Sequence, residues 1–168
     1  MVLNATEIEP YARLLGNLRE DASYSAQAYF EAAKSADFWG RAIIFVPALL
    51  GAVAGIIVAL GGSREWGSVG AVVGAVSATA AFIGSSKRAS SFKDSARQLT
   101  KLRHRASTEI GLCARKQSES ELEEIIKALR NEYDAVVGAS EPVPDRAFSK
   151  ARKRIRAGVL DYEVESSA

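Results

Sequence analysis

The chain has 168 residues, a formal net charge of +2, 48% hydrophobic and 25% charged residues, one cysteine and one histidine. A single cysteine excludes an intrachain disulfide, and a single histidine leaves no basis for an imidazole metal centre. The near-neutral total conceals strong asymmetry between segments, because an acidic N-terminal arm and an acidic stretch at 118–141 offset a basic segment between them.

In chain order, residues 1–7 lack a basic region followed by an apolar core, so no cleavable secretory signal is expected at the start. From Tyr11 onward, apolar or small residues recur in alternating steps of four and three: Tyr11, Leu15, Leu18, Ala22, Ser25, Tyr29, Ala32, Ala36 and Trp39. This is a heptad seam, and it predicts a helix over the arm 1–41 that packs closely against another helix and runs toward the apolar segment beyond.

Residues 42–62 and 66–86 then contain no ionisable side chain. Each run, at about 1.5 Å of helical rise per residue, covers the ~30 Å hydrocarbon core of a bilayer. Two spans joined through Ser63, Arg64 and Glu65 predict a tight transmembrane hairpin, the first span doubling as an uncleaved insertion signal. A soluble protein with a buried central hairpin is the competing reading, but it needs a larger shell than the remaining chain provides. Pro47 cannot donate to the carbonyl of Ile43 and is a potential kink.

Between 87 and 116, nine basic residues stand against Asp94 and Glu109, whereas the hairpin tip has one Arg and one Glu. The positive-inside rule places both termini in the cytoplasm. Phe92, Ala96, Leu99, Leu102, Ala106, Ile110 and Cys113 mark the apolar face of a long basic helix, expected to pair antiparallel with the N-terminal arm. Ser120 and Glu123 have capping-box spacing ahead of Leu122, Ile126, Leu129, Tyr133 and Val136, with Gly138 as the expected stop. Pro144-Asp145 suits the first turn of a last helix carrying Phe148, Ala151 and Ile155 among Lys150, Arg152, Lys153, Arg154 and Arg156. Together, 87–160 read as cytoplasmic helices and 161–168 as a frayed tail. The fold class is therefore an all-α membrane protein, a two-helix transmembrane hairpin with a cytoplasmic helical bundle.

No catalytic constellation is present, and neither enzyme activity, cofactor nor metal is expected. His104 lies between Arg103 and Arg105, with Cys113 nine positions on, outside metal-ligand spacing. The informative residues lie in the spans. At 100° per residue, Gly67, Gly70, Gly74, Ser77, Ala81 and Ser85 share one smooth arc, and Val69, Val72 and Val76 fall outside it. Gly51 and Gly55 repeat the theme with Ala48 and Ala52 in the first span. Such faces permit close backbone approach, either within the hairpin or between protomers, or they line a pore. Lys87, Arg88, Lys93 and Arg97 fit topogenic and anionic-headgroup roles; few aromatics interleave with them, so no nucleic-acid partner is expected.

The topology, with Arg130-x-Glu132-Tyr133 and then Pro142-x-Pro144-Asp145-x-x-Phe148, resembles the SLATT domain, a two-transmembrane effector of bacterial conflict systems, over about 11–157. The resemblance implies a homo-oligomeric inner-membrane protein that forms a pore or disrupts the membrane in antiviral defence, with cell death or dormancy as the outcome. It also implies a nucleotide second messenger or a sensor protein encoded nearby as trigger. Many members carry a fused sensor; none is expected here, and the trigger is expected to act through the chain's own cytoplasmic helices or a separate protein. The alternative is a passive membrane-anchored helical scaffold.

Overall fold

The computed structural model describes residues 5–61, 65–82, 85–116 and 118–158. Five α-helices and a 3₁₀ turn account for them, with no strand among the described residues: α1 (Ala5–Ala59), α2 (Glu65–Phe82), α3 (Ser85–Leu112), the turn Cys113–Arg115, α4 (Glu119–Ala139) and α5 (Asp145–Arg156). The seam and the first apolar run belong to one uninterrupted helix, since neither Gly40 nor Pro47 ends α1. Within α1 lies one stretch long and apolar enough to cross a bilayer; the apolar stretch described in α2, Gly67–Val76, is shorter. Of the second run, α2 is described to Phe82 and α3 from Ser85. Residues 62–64, 83 and 84 lie outside the described residues, and with them Ser63 and Arg64 of the expected connector.

The fold divides into two compact units, one comprising residues 1–32 and 91–168 and the other residues 33–90. In the first, Leu15, Leu18 and Ala22 of α1, Leu102 and Ala106 of α3, Cys113, and Leu122 and Leu129 of α4 form one buried cluster. Ile8, Tyr11, Ile110, Ile126 and Tyr133 close its rim. The antiparallel order of α1 and α3 follows from this cluster together with Tyr29, whose ring lies 6.1 Å from that of Phe92 at the other end. Ala26, Ala32 and Ala96 are buried along the way, and their small side chains let the helix axes approach.

Three local expectations are corrected. The N-cap of α4 is Ser118, not Ser120: its backbone is extended (φ −146°, ψ 149°) and its hydroxyl accepts the Glu121 N–H at 3.2 Å. Ser118/Glu121 and Ser120/Glu123 have the same spacing, and the earlier pair wins because Lys116 also donates to Glu121 at 3.0 Å. Gly138 is not a left-handed stop; α4 continues to Ala139, and extended Ser140 caps it two residues before Pro142. On α5, Ala147 and Ala151 are the buried pair and Phe148 is 45% exposed. The inward face shares Ala151 with the expected one and is rotated from it by about half a residue step, because two methyl groups allow α5 to lie close while Phe148 flanks the contact edge-on to Tyr24, centroids 4.9 Å apart.

The second unit contains α1 from 33, α2 and the first turns of α3. Its buried hydrophobic residues, among those described, are Ala33, Ala54 and Ala89.

Candidate functional site

Where α1 and α2 meet, the contact is made by the smallest side chains available. A Cβ added to Gly51 would stand 3.8 Å from Val73 Cγ1, and one added to Gly70 would stand 3.8 Å from the Ala54 methyl. These are ordinary van der Waals distances, so the pair is close without being locked. Gly55, Gly67 and Gly74 differ: a Cβ there would meet nothing within 4 Å. All five glycines, with Pro47, Ala48, Val58 and Ala71, border one open groove of about 630 Å³. The glycines therefore separate by role: Gly51 and Gly70 face the neighbouring helix of the same chain, while Gly55, Gly67 and Gly74 border free space. The backbones of Ser77 and Ala81 belong to α2 and that of Ser85 to α3, and the side chains of these three lie outside the described residues.

Around this groove the unit turns apolar side chains outward. Phe45 is 67% exposed and Leu60 83%, and Ile44, Leu49, Leu50, Val53, Ile56, Val69, Val72 and Val76 are exposed with them. Only 6% of the long apolar stretch in α1 is buried. Polar residues mark its near end: Asp37 pairs with Arg41 at 3.1 Å, and Phe38 and Trp39, both exposed, meet edge to face with centroids 5.8 Å apart. A contiguous surface of this kind requires a non-aqueous or protein partner.

The basic quartet lies along α3. Lys87 and Arg88 fall in the second unit, and Lys93 and Arg97 in the first. All four are exposed, and Arg97 pairs with Asp94 at 3.5 Å.

In the first unit, residues singled out near the C-terminus serve as ties between helices. Tyr133 Oη and Ser25 Oγ share a hydrogen bond of 2.9 Å, Arg105 donates to Glu132, and Ser140 Oγ donates to Ser95 Oγ at 2.7 Å. Pro142 and Phe148 help wall a cleft of about 350 Å³ with Ser25, Tyr29 and Ser140. Glu31 and Arg154, which no periodicity marked, form an ion pair at 3.3 Å whose carboxylate side chain is the most buried of the described pairs. The available signal was the acid itself, standing beside Ala32 and Ala33 in an otherwise small, buried segment.

Electrostatic perturbation concentrates at the α3–α4 corner. Burial pushes the Cys113 thiol up, helped by Glu109. Lys116 is raised chiefly by its hydrogen bond to Glu121 and also faces Glu109 at 3.5 Å. Tyr11 is raised by desolvation and then by the carboxylates of Glu119 and Glu123. His104 is exposed beside Arg103, and among the described residues no three His, Cys, Asp or Glu side chains gather as metal ligands would.

Comparison with protein-family models, with characterised proteins and with solved structures finds no match to this chain.

Proposed function

We propose that the chain is a two-span inner-membrane effector of the SLATT type, with both termini cytoplasmic, that assembles with copies of itself to permeabilise the membrane in an antiviral response. The observation that carries this reading is the inversion of the second unit, which buries alanines and exposes its large aliphatic side chains. In water that arrangement has no driving force; in lipid, helices associate through small residues and need no buried large ones. The open groove bordered by Gly55, Gly67 and Gly74 supports a contact between protomers, since the chain itself leaves it unfilled. Phe38 and Trp39 suit the headgroup level. The first unit holds the spans closed until a nucleotide messenger or a sensor protein rearranges it, which requires a differential affinity of a few kcal/mol between the two states.

Inducible expression in bacteria with a membrane-potential dye tests this. Depolarisation on induction with the trigger present is expected, together with a reporter active in its cytoplasmic form after Ala168 and in its periplasmic form at Ser63. A chain that inserts with this topology and never dissipates the potential would be the passive scaffold.

A further inference from the structure

α5 carries five cations for which no described residue supplies a counter-charge. Arg146, Lys150, Arg152, Lys153 and Arg156 are exposed, and none forms an ion pair with a described residue. At 100° per residue they occupy an arc of about 160° opposite the buried Ala147 and Ala151. Apart from them, α5 places only Asp145 and Ser149 on that arc, so it holds no apolar side chain. The remaining cation, Arg154, points the other way and is committed to Glu31. With Tyr24 against Phe148, that pair fixes the rotation of α5 and presents the basic arc ready-made.

We propose that this arc docks on anionic phospholipid headgroups, a reading that rests on the membrane assignment above. A helix face about 15 Å long with charge spread over nearly half its circumference fits a planar array of negative headgroups. Single-stranded nucleic acid wants aromatic platforms between the cations, and Phe148, the one aromatic of α5, is occupied by Tyr24. Lacking apolar side chains, the arc cannot insert; its attachment is electrostatic and salt-sensitive. Each cation near an anionic surface is worth about fivefold in partition.

The test uses the full chain with a fluorophore on Ser149→Cys, at the middle of the arc; Cys113 is buried with its thiol held protonated, which keeps labelling selective. The protein is reconstituted in bilayer discs of phosphatidylcholine, with or without phosphatidylglycerol, and quenched with neutral acrylamide. Quenching should fall severalfold only in the phosphatidylglycerol discs and recover in about 0.5 M NaCl, where charges are screened within a few ångströms. Changing Arg152, Lys153 and Arg156 to Gln should lower the docking equilibrium on the order of 100-fold and abolish the difference. Equal quenching in both discs, protection in both, or protection that needs an added oligonucleotide or a second copy would overturn the proposal. If the chain stays outside the discs, the membrane assignment fails; protection by phosphatidylglycerol vesicles would then still uphold docking, and its absence would overturn both.

Discussion

The guanidinium of Arg154 lies 3.3 Å from a Glu31 carboxylate whose side chain is only 6% exposed, whereas the Arg154 side chain itself remains 48% exposed. The same Glu31 oxygen also accepts from Gln27 Nε2 at 3.4 Å. The asymmetry of exposure sets an asymmetry of consequence. Arg154 can turn to water when its partner is gone, but Glu31 cannot.

Arg154→Ala should therefore destabilise the first unit by about 1–3 kcal/mol, because it takes the cation of this pair from a buried carboxylate, while Glu31→Gln should cost less. The double variant should recover part of the loss. Urea denaturation of the protein in detergent measures all three, and trypsin should cut at Arg146 and Arg152 faster in Arg154→Ala as α5 detaches. Equal costs for both single changes would mean that the pair contributes through packing and not through charge.

Leu18 is 1% exposed within the cluster formed by Leu15, Leu102 and Leu122. Leu18→Asp should lower stability by about 2–4 kcal/mol, since a carboxylate there has no partner, and should abolish cooperative unfolding of the bundle. Wild-type melting of that variant in detergent would place the seam in solvent.

The seam was legible because its contrast is strong. Leu15, Leu18, Ala22 and Tyr29 are apolar or small at helical spacing, so period alone identifies the buried face. The opposite contact of α1 was not legible. Tyr24, Ala28 and Glu31 also repeat in steps of four and three and face α5, but one is amphipathic, one small and one acidic, and no hydrophobic contrast distinguishes them from a solvated face. The α4 cap failed for a different reason, since two Ser-x-x-Glu pairs overlap and the spacing alone does not say which of them Lys116 joins at the turn into α4. In the second unit the small residues were evident from composition, whereas their division into contacting Gly51 and Gly70 and open Gly55, Gly67 and Gly74 depends on helix rotation, which composition does not fix.

The corner groups predict alkaline sensitivity. Cys113, Tyr11 and Lys116 are all raised in the fold above ordinary values near 9.0, 10.0 and 10.5. The folded chain thus keeps protons that the unfolded chain releases, so their contribution is fully present below about pH 9 and is lost as pH rises through the folded values. Melting temperature in detergent should be flat from pH 7 to 8.5 and decline above it. Cys113→Ala should remove the earliest part of the decline while lowering the plateau, and a stability that rose between pH 9 and 10.5 would contradict the assignment.

Gly74 and Gly70 provide the sharpest separation between a contact within the chain and one between copies. A leucine at Gly74 enters space that the protomer leaves empty, so folding and membrane integration should persist. A leucine at Gly70 starts 3.8 Å from the Ala54 methyl and must push α1 and α2 apart, so it should lower melting temperature in detergent. Val72 is 65% exposed, and Val72→Leu should leave both properties unchanged. If the groove is where protomers meet, Gly74→Leu will yield a stable, membrane-inserted protein that runs as a smaller species on size exclusion and no longer depolarises cells, because the added side chain fills the space a second helix requires. Full depolarising activity and unchanged size for Gly74→Leu would remove the groove from the assembly and leave these glycines the single task of bringing two helices of one chain together.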